Sequence, residues 1–484
     1  MNHRVRKRCI IAGLVCALLL ALNVPVQAAE KPQLKLHSLF TDHAVLQAGM
    51  KVPVWGHAPP GTEVTVSAAG VKASDTADAE GRWKATLPAV NAGGPHTLVV
   101  RTDTGQEAKC SDVMFGEVWL ASGQSNMVWL LRNTDNGEEA IAAADNRMIR
   151  FFQVQRKPTD RPVEQAPGGP WTISSPDTAP VFSAAAYYFA DYLQDKLDVP
   201  VGIIQSAEGG SRAQAWIRRE EFQKNPDLAA DLQELKELTQ KHDSLVKAQN
   251  PRKTPTVYYN GMIAPLLPYA IRGAIWYQGE ANSKPGDSDR YEEALSTLIR
   301  QWRSQWGYDF PFLFVQLPEF RGRGEEWVRV QDEQRLTYEN VKNTAVIVTL
   351  GLGNPKDIHP RHKKPVGQRL ARAALVKAYG RDLTWSGPLV KKAVRRVGEA
   401  VVYFNHVGDG LTAEGGRLKG FQLTGDGEHW VKARAKIEDE RVVVEAPDIS
   451  NPVAVRYAWS DVPDANLFNE SGLPASPFSI KVTP

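Results

Sequence analysis

The stretch 116–127, GEVWLASGQSNM, constrains this chain more than any other. Val118, Trp119, Leu120 and Ala121 make a short apolar run of the kind that fills a strand buried on both faces. Gly123 can take the positive φ that a sharp turn out of such a strand requires. Ser125 then falls where a helix begins. A strand–turn–helix unit of this kind projects a hydroxyl from the carboxyl end of the strand, beside backbone N–H groups that lack intrahelical acceptors. The pattern is not the G-x-S-x-G elbow of α/β-hydrolases, but it follows the logic of a nucleophile turn. The plainer alternative is that Ser125 or Ser122 caps the helix.

From residue 114 onward the chain alternates between strand and helix patterns. Compact apolar strands are predicted at 201–205, 273–277, 312–317 and 345–350. Helices are predicted at 184–197, 229–246, 291–306 and 327–338, and 366–379 closes the region. This alternation predicts a parallel sheet covered on both faces, with sites gathered at the carboxyl ends of the strands. The Lys/Glu-rich part of 218–253 reads as a solvated helical excursion. Before the alternating region, β-rich segments at 52–56, 63–66 and 96–100 are separated by Pro59-Pro60-Gly61, Gly81 and Gly93-Gly94, which predicts a small antiparallel sandwich. After it, strands such as 400–404 and 441–444 predict a second β module. The expected division is an N-terminal β domain at 29–111, an α/β catalytic domain at 112–384 and a C-terminal β domain at 385–484.

Residues 1–28 read as a secretory signal peptide. Arg4, Arg6, Lys7 and Arg8 precede an apolar run at 10–22, and Val26-Gln27-Ala28 suits cleavage after Ala28. The run is too short to span a bilayer. The expectation is a secreted or periplasmic protein with no membrane attachment after cleavage. Cys9 and Cys16 leave with the leader, so Cys110 has no internal disulfide partner and the core alone stabilises the exported chain. Removing the four basic residues turns the formal charge from +3 to −1, which argues against nucleic acid or an anionic membrane as a partner.

Four loops after predicted strands carry unusual polar residues. The first holds Ser125. The second, 205–211, places Gly209-Gly210 before a helix, where backbone N–H groups can approach a ligand closely. The third, 276–282, offers the side-chain amides of Gln278 and Asn282 as donors to an oxyanion. The fourth, 353–360, carries Asp357 and His359; in an extended loop they point to the same side. A carboxylate there can orient the imidazole while the imidazole takes a proton from Ser125. Each feature has a plainer reading: Glu208 and Glu280 as helix caps, the glycine pair as an ordinary turn, and His359 as a surface histidine. His359 and His362 lack the further ligands that a metal site needs, so no metal is expected.

These residues together are recognisable. The chain resembles the sialate O-acetylesterase family of SGNH hydrolases at 116–127, at 201–217 (VGIIQSAEGGSRAQAWI), at 259–282 (YNGMIAPLLPYAIRGAIWYQGEAN) and at 357–370 (DIHPRHKKPVGQRL). Ala44-Val45-Leu46-Gln47, Val54-Trp55-Gly56 and Val455-Arg456-Tyr457-Ala458-Trp459 extend the likeness over nearly the whole chain after residue 28. The resemblance implies an α/β fold, an SGNH-hydrolase-like three-layer domain with a parallel sheet, flanked by N- and C-terminal β-sandwich-like modules. It implies Ser125 as nucleophile, His359 as general base and Asp357 as third member. The Ser125 N–H, Gly210, and Gln278 or Asn282 would form the oxyanion hole. Two features depart from the family: Glu208 and Ser211 stand where relatives often carry an aromatic residue and Thr, and the acid is spaced D-x-H rather than D-x-x-H. The implied activity is a serine carbohydrate O-acetylesterase with an O-acetylated glycan as substrate and no cofactor. An esterase of acetylated plant polysaccharide such as acetylxylan, a non-catalytic glycan-binding protein on the same fold, and a lipase or peptidase are the alternatives.

Overall fold

The computed structural model describes residues 33–484. The expected signal peptide lies outside these residues. Among the described residues, no helix is long and apolar enough to cross a membrane.

The fold is mixed α/β. Its centre is a path of seven strands within an eleven-stranded sheet: β1 (Glu107–Gly123), β2 (Asn146–Gln153), β3 (Thr172–Ser174), β4 (Val201–Ala207), β5 (Gly273–Tyr277), β6 (Phe312–Val315) and β7 (Thr344–Ile347). Across the sheet the order is β3-β2-β4-β1-β5-β6-β7. All neighbours run parallel except β3, which is antiparallel to β2. After β1 the chain crosses to β2 and works back through β4, then resumes on the other side of β1 with β5. This reversal leaves a crevice at the carboxyl ends beside β1, where open α/β sheets bind their ligands.

Apolar residues of alternate parity face opposite sides of the sheet, as the two-residue strand repeat requires. Trp119, Ala121, Ile203, Ile275 and Val315 pack with helices α2 (Ala184–Leu197) and α5 (Lys364–Lys377). Val118, Leu120, Ile204, Trp276 and Phe314 pack with α3 (Tyr291–Trp306) and α4 (Glu325–Asn340). Burial on both faces explains why these strands read as continuous apolar runs. The first helix, α1 (Ser125–Val128), is only four residues long.

Several elements differ in length from the sequence reading. The helix expected at 229–246 ends at Lys241, because His242 turns to an extended backbone, and 245–248 forms a separate turn. β6 and β7 stop at Val315 and Ile347. Beyond them the Thr349 hydroxyl donates to the Gln316 carbonyl at 2.7 Å as the two segments leave the ladder.

One strand serves two regions. The first half of β1 pairs antiparallel with Gly93–Thr102 and parallel with Val45–Gln47, whereas its second half is the middle of the central sheet. The expected boundary at 111/112 therefore falls inside β1. At the other end, 389–483 forms an eight-stranded sheet and a two-stranded one around their own core of Val402, Phe421, Leu423, Val442, Tyr457 and Phe478. This region reaches the central one through Ser476, whose hydroxyl accepts from Gln316 Nε2 at 2.8 Å, and through Asp461, which accepts the Gly322 and Gly324 N–H groups.

Candidate active site

Three of the four polar loops leave the sheet at one level. Gly123 of β1 stands opposite Ala207 of β4 on one side and Tyr277 of β5 on the other. The chain turns sharply after Gly123, which has φ +135° and sits so close to β5 that a Cβ would lie 2.2 Å from the Tyr277 carbonyl oxygen. Only glycine fits there. Gln124 then donates its N–H to Tyr277 O at 2.9 Å, and Ser125 opens α1 half-buried. The helix cap position is Gln124, with no capping side-chain hydrogen bond. Ser125 is thus free of the capping role that its residue type allows, and its N–H, first in the helix, has no intrahelical acceptor.

The β4 loop packs directly on this turn. A Cβ on Gly209 would stand 3.6 Å from Ser125 Cβ. Gly210 follows with φ +71°, exposed, and among the described residues its N–H has no backbone acceptor. Glu208 does not cap a helix: its Oε1 lies 3.0 Å from Arg156 Nε and 2.9 Å from Arg252 Nε, which fixes two half-exposed arginines beside the glycine pair.

The β5 loop is more deeply placed than its amides suggested. Gln278 donates both amide hydrogens within the protein, to Ser211 O at 3.0 Å and Asn282 Oδ1 at 2.8 Å, and its Oε1 accepts from the Tyr291 hydroxyl at 2.8 Å. Asn282 Oδ1 also accepts the Ala213 N–H at 3.0 Å, and its Nδ2 donates to Gln214 Oε1 at 2.9 Å. Both residues are fully buried. In this arrangement they brace the Gly209-Gly210 loop from behind.

The β7 loop brings His359 to the same end of the sheet. Its ring stacks on Trp129, just after α1, with centroids 5.0 Å apart and planes at 13°. No side-chain hydrogen bond joins it to Ser125; such contacts are often long without substrate. The loop is turned rather than extended. Asp357 Oδ1 accepts the backbone N–H of His359 at 2.9 Å and lies 3.8 Å from His359 Nδ1, beyond hydrogen-bond reach. Asp357 is held by the turn chemistry of its own side chain, with its carboxylate partly in solvent. Burial lowers the His359 pKa; the Asp357 charge opposes this and Lys363 adds to it.

Two further residues complete the setting without having stood out in the sequence. Asn126, fully buried, donates to Glu280 Oε1 at 2.5 Å and to Ile358 O at 3.0 Å. Its Oδ1 accepts from Lys363 Nζ at 2.6 Å. Glu280 is pushed above the usual carboxylate range by its burial. Lys363 sits in the polar run Arg361-His362-Lys363-Lys364, where a lysine normally signals a solvated loop. Beyond His359, a cleft of about 720 Å³ is lined by Trp129, Arg132, Asn133, Asp135 and Arg361 among others. Its polar walls suit a hydroxyl-rich ligand.

Known proteins resemble this chain over most of its length. Residues 115–376 match the family model described as carbohydrate esterase, sialic acid-specific acetylesterase. The mouse (Mus musculus) sialate O-acetylesterase is 25% identical, covering 97% of this chain and 98% of that protein. The human (Homo sapiens) sialate O-acetylesterase is 27% identical, covering 97% of each. The crystal structure of a carbohydrate acetylesterase from Xanthomonas citri superposes with a TM-score of 0.83 at 39% identity, covering 92% of this chain and 99% of that one. With the matched segment running from β1 to α5, and so holding every loop of the site, the chain belongs to the sialic acid-specific acetylesterase family of carbohydrate esterases.

Proposed function

We propose that the protein is an exported carbohydrate O-acetylesterase of SGNH type that works through a serine acyl-enzyme. The observation that carries this reading is the meeting of Ser125 with the Gly209-Gly210 turn and the His359 loop at the carboxyl end of β1. Ser125 Oγ attacks the acetyl carbonyl carbon and gives its proton to His359, whose Nε2 is the ring nitrogen away from Asp357. The oxyanion is held by the N–H groups of Ser125 and Gly210, with Gln278 and Asn282 bracing the glycine turn. His359 then protonates the departing sugar oxygen, and water enters by the same proton route to release acetate. Asp357 acts on the imidazole through its charge and by fixing the loop.

The leaving sugar would occupy the cleft beside Trp129. The proposed division assigns 112–384 to catalysis and 29–111 and 385–484 to supporting β modules, with 1–28 as the export signal. Sialic acid esters are the first substrate reading. The Xanthomonas citri protein is more similar to this chain than the mouse and human enzymes and bears the broader description of carbohydrate acetylesterase, which leaves acetylated polysaccharide as a second reading.

Acetate release from acetylated sialic acids, acetylated xylan and acetylated pectin separates the two. Nitrophenyl acetate tests the chemistry itself: turnover should be lost in Ser125→Ala, and a Ser125→Ala protein as active as its parent would refute the mechanism.

A further inference from the structure

Lys363 is fully buried immediately before α5, four residues after His359. Among the described residues, no carboxylate lies within ion-pair distance of its ammonium group. Nζ donates instead to Asn126 Oδ1 and to Pro360 O, both at 2.6 Å, and lies over the Tyr277 ring at 5.4 Å from the centroid. Burying an ammonium without a paired carboxylate is costly, so something must hold it there. Its two acceptors suggest what. Asn126 follows Ser125 directly, and Pro360 follows His359. Asn126 also donates to Ile358 O, so the carbonyls on either side of His359 are both tied to one amide–amine pair.

We propose that Lys363 is a positioning residue of the acyl-transfer site, fixing the His359 loop against the Ser125 helix through Asn126 and Pro360 and placing a positive charge near the imidazole. This rests on the reading of Ser125 and His359 as nucleophile and base. The charge discourages protonation of the imidazole, which a general base requires. Three carboxylates face the ammonium from different segments: Glu280 after β5, Asp135 after α1 and Asp357 in the same loop. All favour its charged form, whereas burial disfavours it more and brings its pKa to about 7. At the acid limb of the His359 titration, below 6.5, Lys363 still carries its proton. His359 itself is faced by Asp357, which favours the imidazolium, and by Lys363, which opposes it.

Lys363→Gln removes the charge and keeps an N–H donor on a slightly shorter side chain; Asn126→Ala removes the tether and keeps the charge. With nitrophenyl acetate, Lys363→Gln should move the acid limb of kcat/KM upward, with KM within roughly twofold. Asn126→Ala should lower kcat by about tenfold or more and leave the acid limb in place. A purely structural lysine would change the melting temperature without moving the limb. The proposal is overturned if Lys363→Gln leaves the limb unmoved, or if kcat of Asn126→Ala stays within about threefold of the parent. If Lys363→Gln does not fold, the Asn126→Ala result alone decides. A parent protein indifferent to Ser125→Ala would instead refute the reading of the site on which this inference rests.

Discussion

At the residue scale, the placing of Ser125 and His359 at one end of the sheet could be read because their surroundings are sequence-local. A strand, a glycine turn and a serine follow one another directly, and the histidine sits in a short polar loop. Asp357 was harder to read, because its role depends on whether the loop is extended or turned. With its carboxylate on the His359 backbone N–H and 3.8 Å from Nδ1, it cannot fix the tautomer as a buried, hydrogen-bonded acid does. Asp357→Asn is therefore expected to cost less than about tenfold in kcat, against the loss of about 10⁴ seen for the buried aspartate of serine proteases. Ser125→Ala and His359→Ala should each abolish turnover. A loss of 10²-fold or more in Asp357→Asn would mean that the loop straightens when substrate binds. The pH profile tests the base separately. An unperturbed histidine titrates near 6.5, and burial lowers His359 from there. The kcat/KM acid limb should accordingly have a one-proton slope and a midpoint below 6.5. A midpoint above 6.5 would contradict dominant desolvation.

At the element scale, the parallel strands and four of the main helices could be read from the sequence because burial on both faces leaves continuous apolar runs between amphipathic ones. What escaped was the direction in which loop side chains point. Gln278 and Asn282 were expected to face an oxyanion. The Ser211 carbonyl and Gln214 reach them from a distant part of the chain and, with the nearer Tyr291 hydroxyl, draw them inward. No local pattern announces partners that lie 67 or 68 positions away. As bracing residues, they should affect folding as well as rate. Asn282→Ala leaves the Ala213 N–H and a Gln278 amide hydrogen without an acceptor, which should destabilise the protein by about 2–4 kcal/mol. Thermal unfolding would register this as a lower melting temperature, together with reduced kcat. Unchanged stability with reduced kcat would return Asn282 to the oxyanion hole.

At the scale of the whole molecule, the change from strands to alternating strands and helices and back to strands was visible in the hydropathy rhythm, but the sharing of β1 between two sets of strand pairings was not, since one long strand reads like two short ones. Interregional ties also involve single polar residues, and His37 offers a measurable case. It is 1% exposed, and its neutral ring satisfies both nitrogens: Nε2 donates to Glu164 O at 2.7 Å and Nδ1 accepts the Leu39 N–H at 3.3 Å. A proton on Nδ1 would face that N–H head-on. Burial, with a smaller contribution from His57, lowers the pKa from 6.5 to about 4. The unfolded chain therefore binds this proton first as pH falls. The stabilisation that comes from keeping the ring neutral is complete above pH 6.5 and is progressively lost as pH falls toward 4, with no further change below that. At pH 4.5 the loss is on the order of 2–3 kcal/mol. His37→Phe removes both hydrogen bonds and the titration together. Its destabilisation relative to the parent should be greatest near pH 7 and should shrink by roughly that amount at pH 4.5. Taking the difference between the two proteins cancels groups that titrate in the opposite sense, such as Glu333, whose buried carboxyl is raised to about 7. Denaturant unfolding of both proteins at pH 7, 5.5 and 4.5 measures the difference directly. A pH-independent gap would show that His37 takes up its proton in the folded protein without penalty.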